Sequence, residues 1–258
     1  MDQRLDPDGG LPVRRPRRFG PKSALAAALS VIALASACAI PQYQPQAQQT
    51  TPAQPQSRQV VVPRTPVQSP LPTGMAQDEN FAVQATNTFW TRHFAEQFGG
   101  NYSPPQIAGG YLGTQGPPCG GQPSVPFNAF YCQPGDFIAW DENLMSAGYK
   151  QIGDSWVYLI ISHEWGHAIQ ARVDRSLVSV AAELQADCLA GATLQGARRD
   201  GTVRFEAGDA QELSRTLSAV ADNFAWTKES DHGNARQRIQ AFNAGARTGA
   251  QACIPRAH

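Results

Sequence analysis

His163 and His167 stand four residues apart in the run His163-Glu164-Trp165-Gly166-His167. On an α-helix, residues at that spacing share a face, so the two imidazoles can converge on one point. Imidazole nitrogen is a preferred ligand of zinc. Glu164 lies beside the two histidines and suits a different task, taking a proton from a water activated at the metal. The five residues therefore specify a chemistry before any fold is considered: a metal held by two histidines, with a base next to it.

A catalytic zinc takes a third protein ligand and keeps one position open. An extended motif with Gly and His three and six residues after His167 is excluded, because Gln170 and Val173 occupy those places. The chain offers Glu183-Leu184-Gln185-Ala186-Asp187 instead. Glu183 is the expected third ligand of a single Zn2+ ion. Asp187, one turn on, is expected to accept the other ring N–H of His163 and so fix its tautomer. The reverse assignment, with Asp187 as ligand, stays open. A bland alternative also exists, since Glu and Asp at this spacing often form only a solvated helix face. The Ala- and Leu-rich surroundings argue against it.

These residues need elements to position them. The run from Trp156 to Val173 is largely apolar, and Ser162, His163, Glu164, His167 and Gln170 interrupt it. That pattern predicts a buried helix, in which polar groups are costly unless they are paired or bind a metal. A second helix is expected from Leu177 to Arg198, capped by Ser176 and antiparallel to the first. A third is expected over Asp209–Phe224, burying Leu213, Leu217, Val220 and Phe224. A fourth, over Ala235–Phe242, follows a Ser230-Asp231 cap. Upstream, Phe81, Ala85, Phe89, Trp90, Phe94 and Phe98 recur at helical spacing within 78–99. Two short strands, Phe130–Cys132 and Phe137–Trp140, flank a Gln133-Pro134-Gly135-Asp136 turn. The fold class is α+β: a mostly helical domain with a small sheet near its N-terminal side.

The chain begins differently. Residues 14–22 are basic, and 23–37 are uncharged, mostly apolar and end in small residues before Cys38. That is the order of a secretory signal, here of lipoprotein type over 1–37, with Cys38 expected to carry the lipid; plain secretion or an uncleaved anchor is the alternative. Residues 38–76 are rich in Pro and Gln and read as a disordered linker. The folded domain is expected over 77–258. Formal net charge is zero, so bulk electrostatics give no reason to expect a nucleic-acid partner. Setting Cys38 aside leaves Cys119, Cys132, Cys188 and Cys253, an even number suited to an oxidising compartment. Three pairings are possible. The favoured one joins Cys119 to Cys132 and Cys188 to Cys253.

His163–Gln170 together with Glu183–Gly191 resembles the bacterial neutral zinc metallopeptidases, a gluzincin-like group. Phe130-Tyr131-Cys132, Trp140-Asp141 and the stretch from His232-Gly233 through Arg236-Gln237-Arg238 to Phe242 look like the same family. The resemblance implies a zincin-like fold and hydrolysis of peptide bonds. With an N-terminal lipid anchor, the substrates would be extracytoplasmic peptides or proteins. His232 is the candidate for stabilising the oxyanion, with Tyr158 behind it. A strand near Phe137–Asp141 is the candidate for aligning substrate. Two rivals stand beside this reading. One is a zinc-binding lipoprotein that acts as a non-catalytic scaffold, for which Glu164 would be superfluous. The other is a zinc hydrolase of a different bond.

Overall fold

The computed structural model describes residues 71–225, 227–228 and 231–255. The expected signal segment, Cys38, most of the expected linker and the expected cap Ser230 lie outside the described residues.

Helix α1 (Met75–Phe98) opens three residues before Asp78 and buries Ala82, Ala85, Phe89, Trp90 and Phe94 along one stripe. Phe81 departs from the expected stripe and is half exposed. Strands β1 (Gln106–Tyr111), β2 (Ala129–Cys132) and β3 (Phe137–Asp141) form one sheet in the order β1-β3-β2. The β2–β3 hairpin turns at the expected four residues, with Cys132 opposite Phe137. β1 was not anticipated; it runs parallel to β3. β3 therefore has a neighbour on each side, which removes it as the strand that could align a substrate. The two edges of the sheet are β1 and β2, and β2 is the one that lies beside α3.

Asp141 ends β3 and caps the unanticipated helix α2 (Glu142–Gln151), its carboxylate accepting the Asn143 N–H at 2.9 Å. Helix α3 (Ser155–Gln170) follows and is buried along almost its whole length, as its apolar composition requires. The chain then forms a short 3-10 turn, Arg175–Leu177, before helix α4 (Ala182–Arg199). The second helix therefore starts five residues later than expected. Asp174, not Ser176, caps the turn: its carboxylate accepts the Ser176 N–H at 2.8 Å and the Ser176 hydroxyl at 2.6 Å. That short turn then stops, and Val178 is extended.

Helix α5 (Asp209–Ala219) stops short of Val220. The Val220 carbonyl is taken by Arg238 at 2.6 Å, and Asp222 turns away to accept the N–H groups of His232 and Gly233. Phe224 is exposed rather than buried. Helix α6 (Ala235–Thr248) is capped by Asn234 through a capping box with Gln237. Asp231 has another task, accepting the Thr227 and Lys228 N–H groups. A last 3-10 turn spans Ala250–Cys253.

Helices α3, α4 and α6 stack at short range because small residues meet between them. A Cβ on Gly166 would lie 2.9 Å from the Ala186 backbone, and one on Gly245 would collide with the Cys188 carbonyl. Both favoured disulfides are present, Cys119–Cys132 and Cys188–Cys253, with Cα separations of 5.6 and 5.5 Å. The second fastens the C-terminal turn to α4.

Candidate metal centre

His163 and His167 project from α3, and Glu183 from the first turn of α4, where the helix N-terminus favours a carboxylate. One donor atom from each lies within 4.8 Å of the others. His163 Nε2 is 3.2 Å from one Glu183 oxygen, and His167 Nε2 is 3.4 Å from the other. The close approach at Gly166 sets this convergence, since it lets the α3 and α4 backbones nearly touch between the two histidines.

Each imidazole is fixed from behind. His163 Nδ1 lies 2.9 Å from the Asp187 carboxylate. An ionised carboxylate only accepts, so Nδ1 carries the proton. His167 Nδ1 lies 2.9 Å from Gln170 Oε1, and the Gln170 amide nitrogen donates to the Ala182 carbonyl at 2.7 Å. A carbonyl only accepts, so the Gln170 amide has one allowed orientation and its oxygen must face His167. In each ring Nδ1 is thus committed, and Nε2 is the nitrogen turned toward Glu183, free to hold a proton or to offer its lone pair to a metal. Two imidazole lone pairs and a carboxylate at this spacing are a donor set suited to zinc.

Asp187 is fully buried and in turn receives Arg238, which donates from Nε and from a terminal nitrogen, both at 2.7 Å. Burial opposes the charge on Asp187, yet the bonds from Arg238 and His163 hold its carboxyl below the usual range. Burial also opposes a charge on His163. The hydrogen bond and charge of Asp187, with the Glu183 bond, outweigh it and push the His163 pKa up to about 10. Glu183 is likewise penalised by burial but kept well below the ordinary carboxylate range by the two histidines. Such a cluster is held together by protons on the imidazoles or by a cation in their place.

Glu164 is buried, and its Oε2 accepts the Tyr131 N–H at 2.9 Å. This bond joins the motif helix to the edge strand. The pairing alternates: Asp141 donates to the Asn128 carbonyl and the register steps by one, so the Asn128, Phe130 and Cys132 backbone groups face β3. Those of Ala129 and Tyr131 point the other way. Arg172 keeps the hairpin in place, gripping both Asp136 oxygens at 2.7 and 2.9 Å and the Ala168 carbonyl at 2.7 Å. The cleft between β2 and α3–α4 measures about 1080 Å³ and contains His163, Glu164, His167 and Glu183. Phe127 and Val180 are exposed on its walls.

His232 lines the same cleft with a largely exposed ring, its Nδ1 3.5 Å from Asp222. Tyr158 is not brought there; it borders a separate cavity of about 230 Å³ with Asp78 and Asp209. Sequence reasoning missed Arg238, Gln170 and the Tyr131 amide as parts of the site. Arg238 carried a usable signal: it shares a helix face with Phe242, and a charge on a buried face requires a partner. The Tyr131 amide carried none, because a backbone group leaves no mark in sequence.

A family model described as "putative neutral zinc metallopeptidase" matches residues 20–254. Two proteins named "uncharacterized protein YpfJ", from Escherichia coli K12 and Escherichia coli O6:H1, are each 26% identical over 210 residues, spanning 70% of this chain and 71% of the relative. No solved structure matches the chain.

Proposed function

Because the chain belongs to that neutral zinc metallopeptidase family, we propose that it is a hydrolase of peptide bonds with one zinc ion held by His163, His167 and Glu183. The observation that carries this reading is the convergence of those three donors within 4.8 Å, in a cleft shared with the buried carboxylate Glu164. A zinc ion in such a site supplies Lewis acidity, polarising a carbonyl and acidifying water.

The protein's own groups do the rest. Glu164 takes the proton of the attacking water and delivers it to the leaving amine. The Tyr131 N–H fixes the carboxylate for both transfers. Asp187 and Gln170 hold the two imidazoles at the tautomer that leaves Nε2 free. An extended peptide pairs with the outer edge of β2 through Ala129 and the Tyr131 carbonyl, the Tyr131 N–H being kept by Glu164, which aligns its backbone along the cleft. His232 is positioned on the cleft wall to donate to the developing oxyanion. We further propose that the substrates are extracytoplasmic and that Cys38 anchors the protein in a membrane. The basic, apolar and small-residue order before Cys38 supports this, as do two disulfides suited to an oxidising compartment.

The test is hydrolysis of a mixed peptide library by purified protein loaded with zinc to a measured stoichiometry, set beside Glu164→Gln. Cleavage by the wild type, with zinc retained and cleavage lost in the variant, is the expected result. Stoichiometric zinc without cleavage by either protein overturns the peptidase assignment and favours a binding role.

A further inference from the structure

We infer that Gln185 is a positioning residue that couples the disulfide-bonded C-terminal turn to His167 through Gln170, so that metal affinity depends on the last turn of the described chain. The inference rests on His167 being a metal ligand.

Gln185 lies two residues after Glu183 on α4 and is buried. Its amide nitrogen donates to the Leu177 carbonyl at 2.7 Å and to the Cys253 carbonyl at 3.0 Å. Its oxygen accepts the Ser179 N–H at 2.9 Å and the Gln170 amide at 3.1 Å. Two donors and two acceptor sites are all used. The orientation is forced, because backbone carbonyls only accept and a backbone N–H only donates. Gln170 inherits its orientation from the same logic: both its donors are spent on Ala182 and Gln185, and only its oxygen is left for His167 Nδ1. The Ala182 carbonyl sets which way the Gln170 amide faces, and Gln185, itself held by backbone groups, takes the second donor and fixes where that amide stands against His167.

One of those groups is the carbonyl of Cys253. The disulfide to Cys188 ties that residue covalently to α4, three residues beyond Gln185. The C-terminal turn thus closes a ring: Cys253 to Cys188 through sulfur, Cys188 to Gln185 along the helix, and Gln185 back to Cys253 through a hydrogen bond. The arrangement has a purpose at the metal centre that mere core filling would not need. It presents to Gln170 an acceptor held by hydrogen bonds to backbone groups, one of which, the Cys253 carbonyl, is itself tied to α4 by the disulfide. Removing an outer partner of a ligating histidine typically costs 10–100-fold in metal affinity.

The experiment measures zinc affinity of the whole chain by competition with a chromogenic chelator, with thermal melting of the metal-free form to check folding. Gln170→Ala should lower affinity by roughly 10–100-fold, and Gln185→Ala, one residue further out, by less but measurably. In a His167→Ala background neither change should lower it further, because the effect travels through that ring. Cys188→Ser with Cys253→Ser should give a smaller loss, which disappears once Gln185 is Ala. Wild-type affinity in Gln185→Ala overturns the inference and leaves the metal site standing. So does a loss of the same size in the His167→Ala background. If Gln185→Ala does not fold, the double variant Cys188→Ser with Cys253→Ser decides the matter: unchanged zinc affinity there overturns the inference. A wild-type chain that takes up no zinc overturns the metal site itself.

Discussion

The Asp187 carboxylate and the Arg238 guanidinium form a two-point pair, both contacts at 2.7 Å, with Asp187 wholly shut off from solvent. The pair joins α6 to α4 directly behind His163. It also uses the geometry that only arginine offers, a planar fork matched to a carboxylate.

Arg238→Ala should cost about 3–5 kcal/mol of stability, since it leaves a buried carboxylate uncompensated. It also frees the Val220 carbonyl that ends α5. Arg238→Lys should recover only part of the loss, because an ammonium cannot grip both oxygens. Urea denaturation of the metal-free protein measures both.

Asp187→Asn should lower zinc affinity by roughly 10–100-fold while the protein still folds. An amide in place of the carboxylate weakens the hold on the His163 tautomer and keeps the shape. Chelator competition reads the change, and affinity equal to wild type would remove Asp187 from the site's support.

The metal-free protein should lose stability as pH rises from about 6.5 toward 10. The folded-state pKa of His163 is raised to about 10, so its contribution is complete below its ordinary value of 6.5 and disappears as pH passes through 10. Glu79 acts in the same direction. Burial, then the Glu142 charge, raise it from 4.5 to about 8, so its contribution is complete below 4.5 and is lost as pH passes through 8. Zinc takes the place of protons on the histidines, so its affinity should climb over the same window. Urea midpoints at pH 6, 8 and 10, with and without zinc, measure the slope. Asp187→Asn should flatten it.

Gly166→Ala should destabilise by about 1–3 kcal/mol, because the new methyl would stand 2.9 Å from the Ala186 backbone. The helices must separate at the point where they bring Glu183 to the histidines, so zinc affinity should fall as well. A variant that loses stability but keeps zinc affinity would show that the metal site adjusts independently of helix spacing.

The two histidines of the donor cluster were legible in the sequence because their relation is local. Two histidines four apart share a face on any α-helix, and the buried character of α3 follows from its apolar composition. The β2–β3 hairpin was legible from its turn, and the disulfide pairing was favoured from loop placement. Contacts between distant segments decided the rest. The start of α4 was misplaced because Asp174 captures Ser176 and stops a helix that local preference would have begun. The end of α5 was misplaced because Arg238, eighteen residues later, takes the Val220 carbonyl. Local pattern expresses which residues prefer a helix; it does not express which distant side chain claims a backbone group. β3, expected as an open strand, became the central one once β1 occupied its other side, and strand order is a long-range property. The glutamine relay to Cys253 and the Tyr131 amide on Glu164 exist only after folding, because hydrogen bonds between segments far apart in sequence have no spacing rule that announces them.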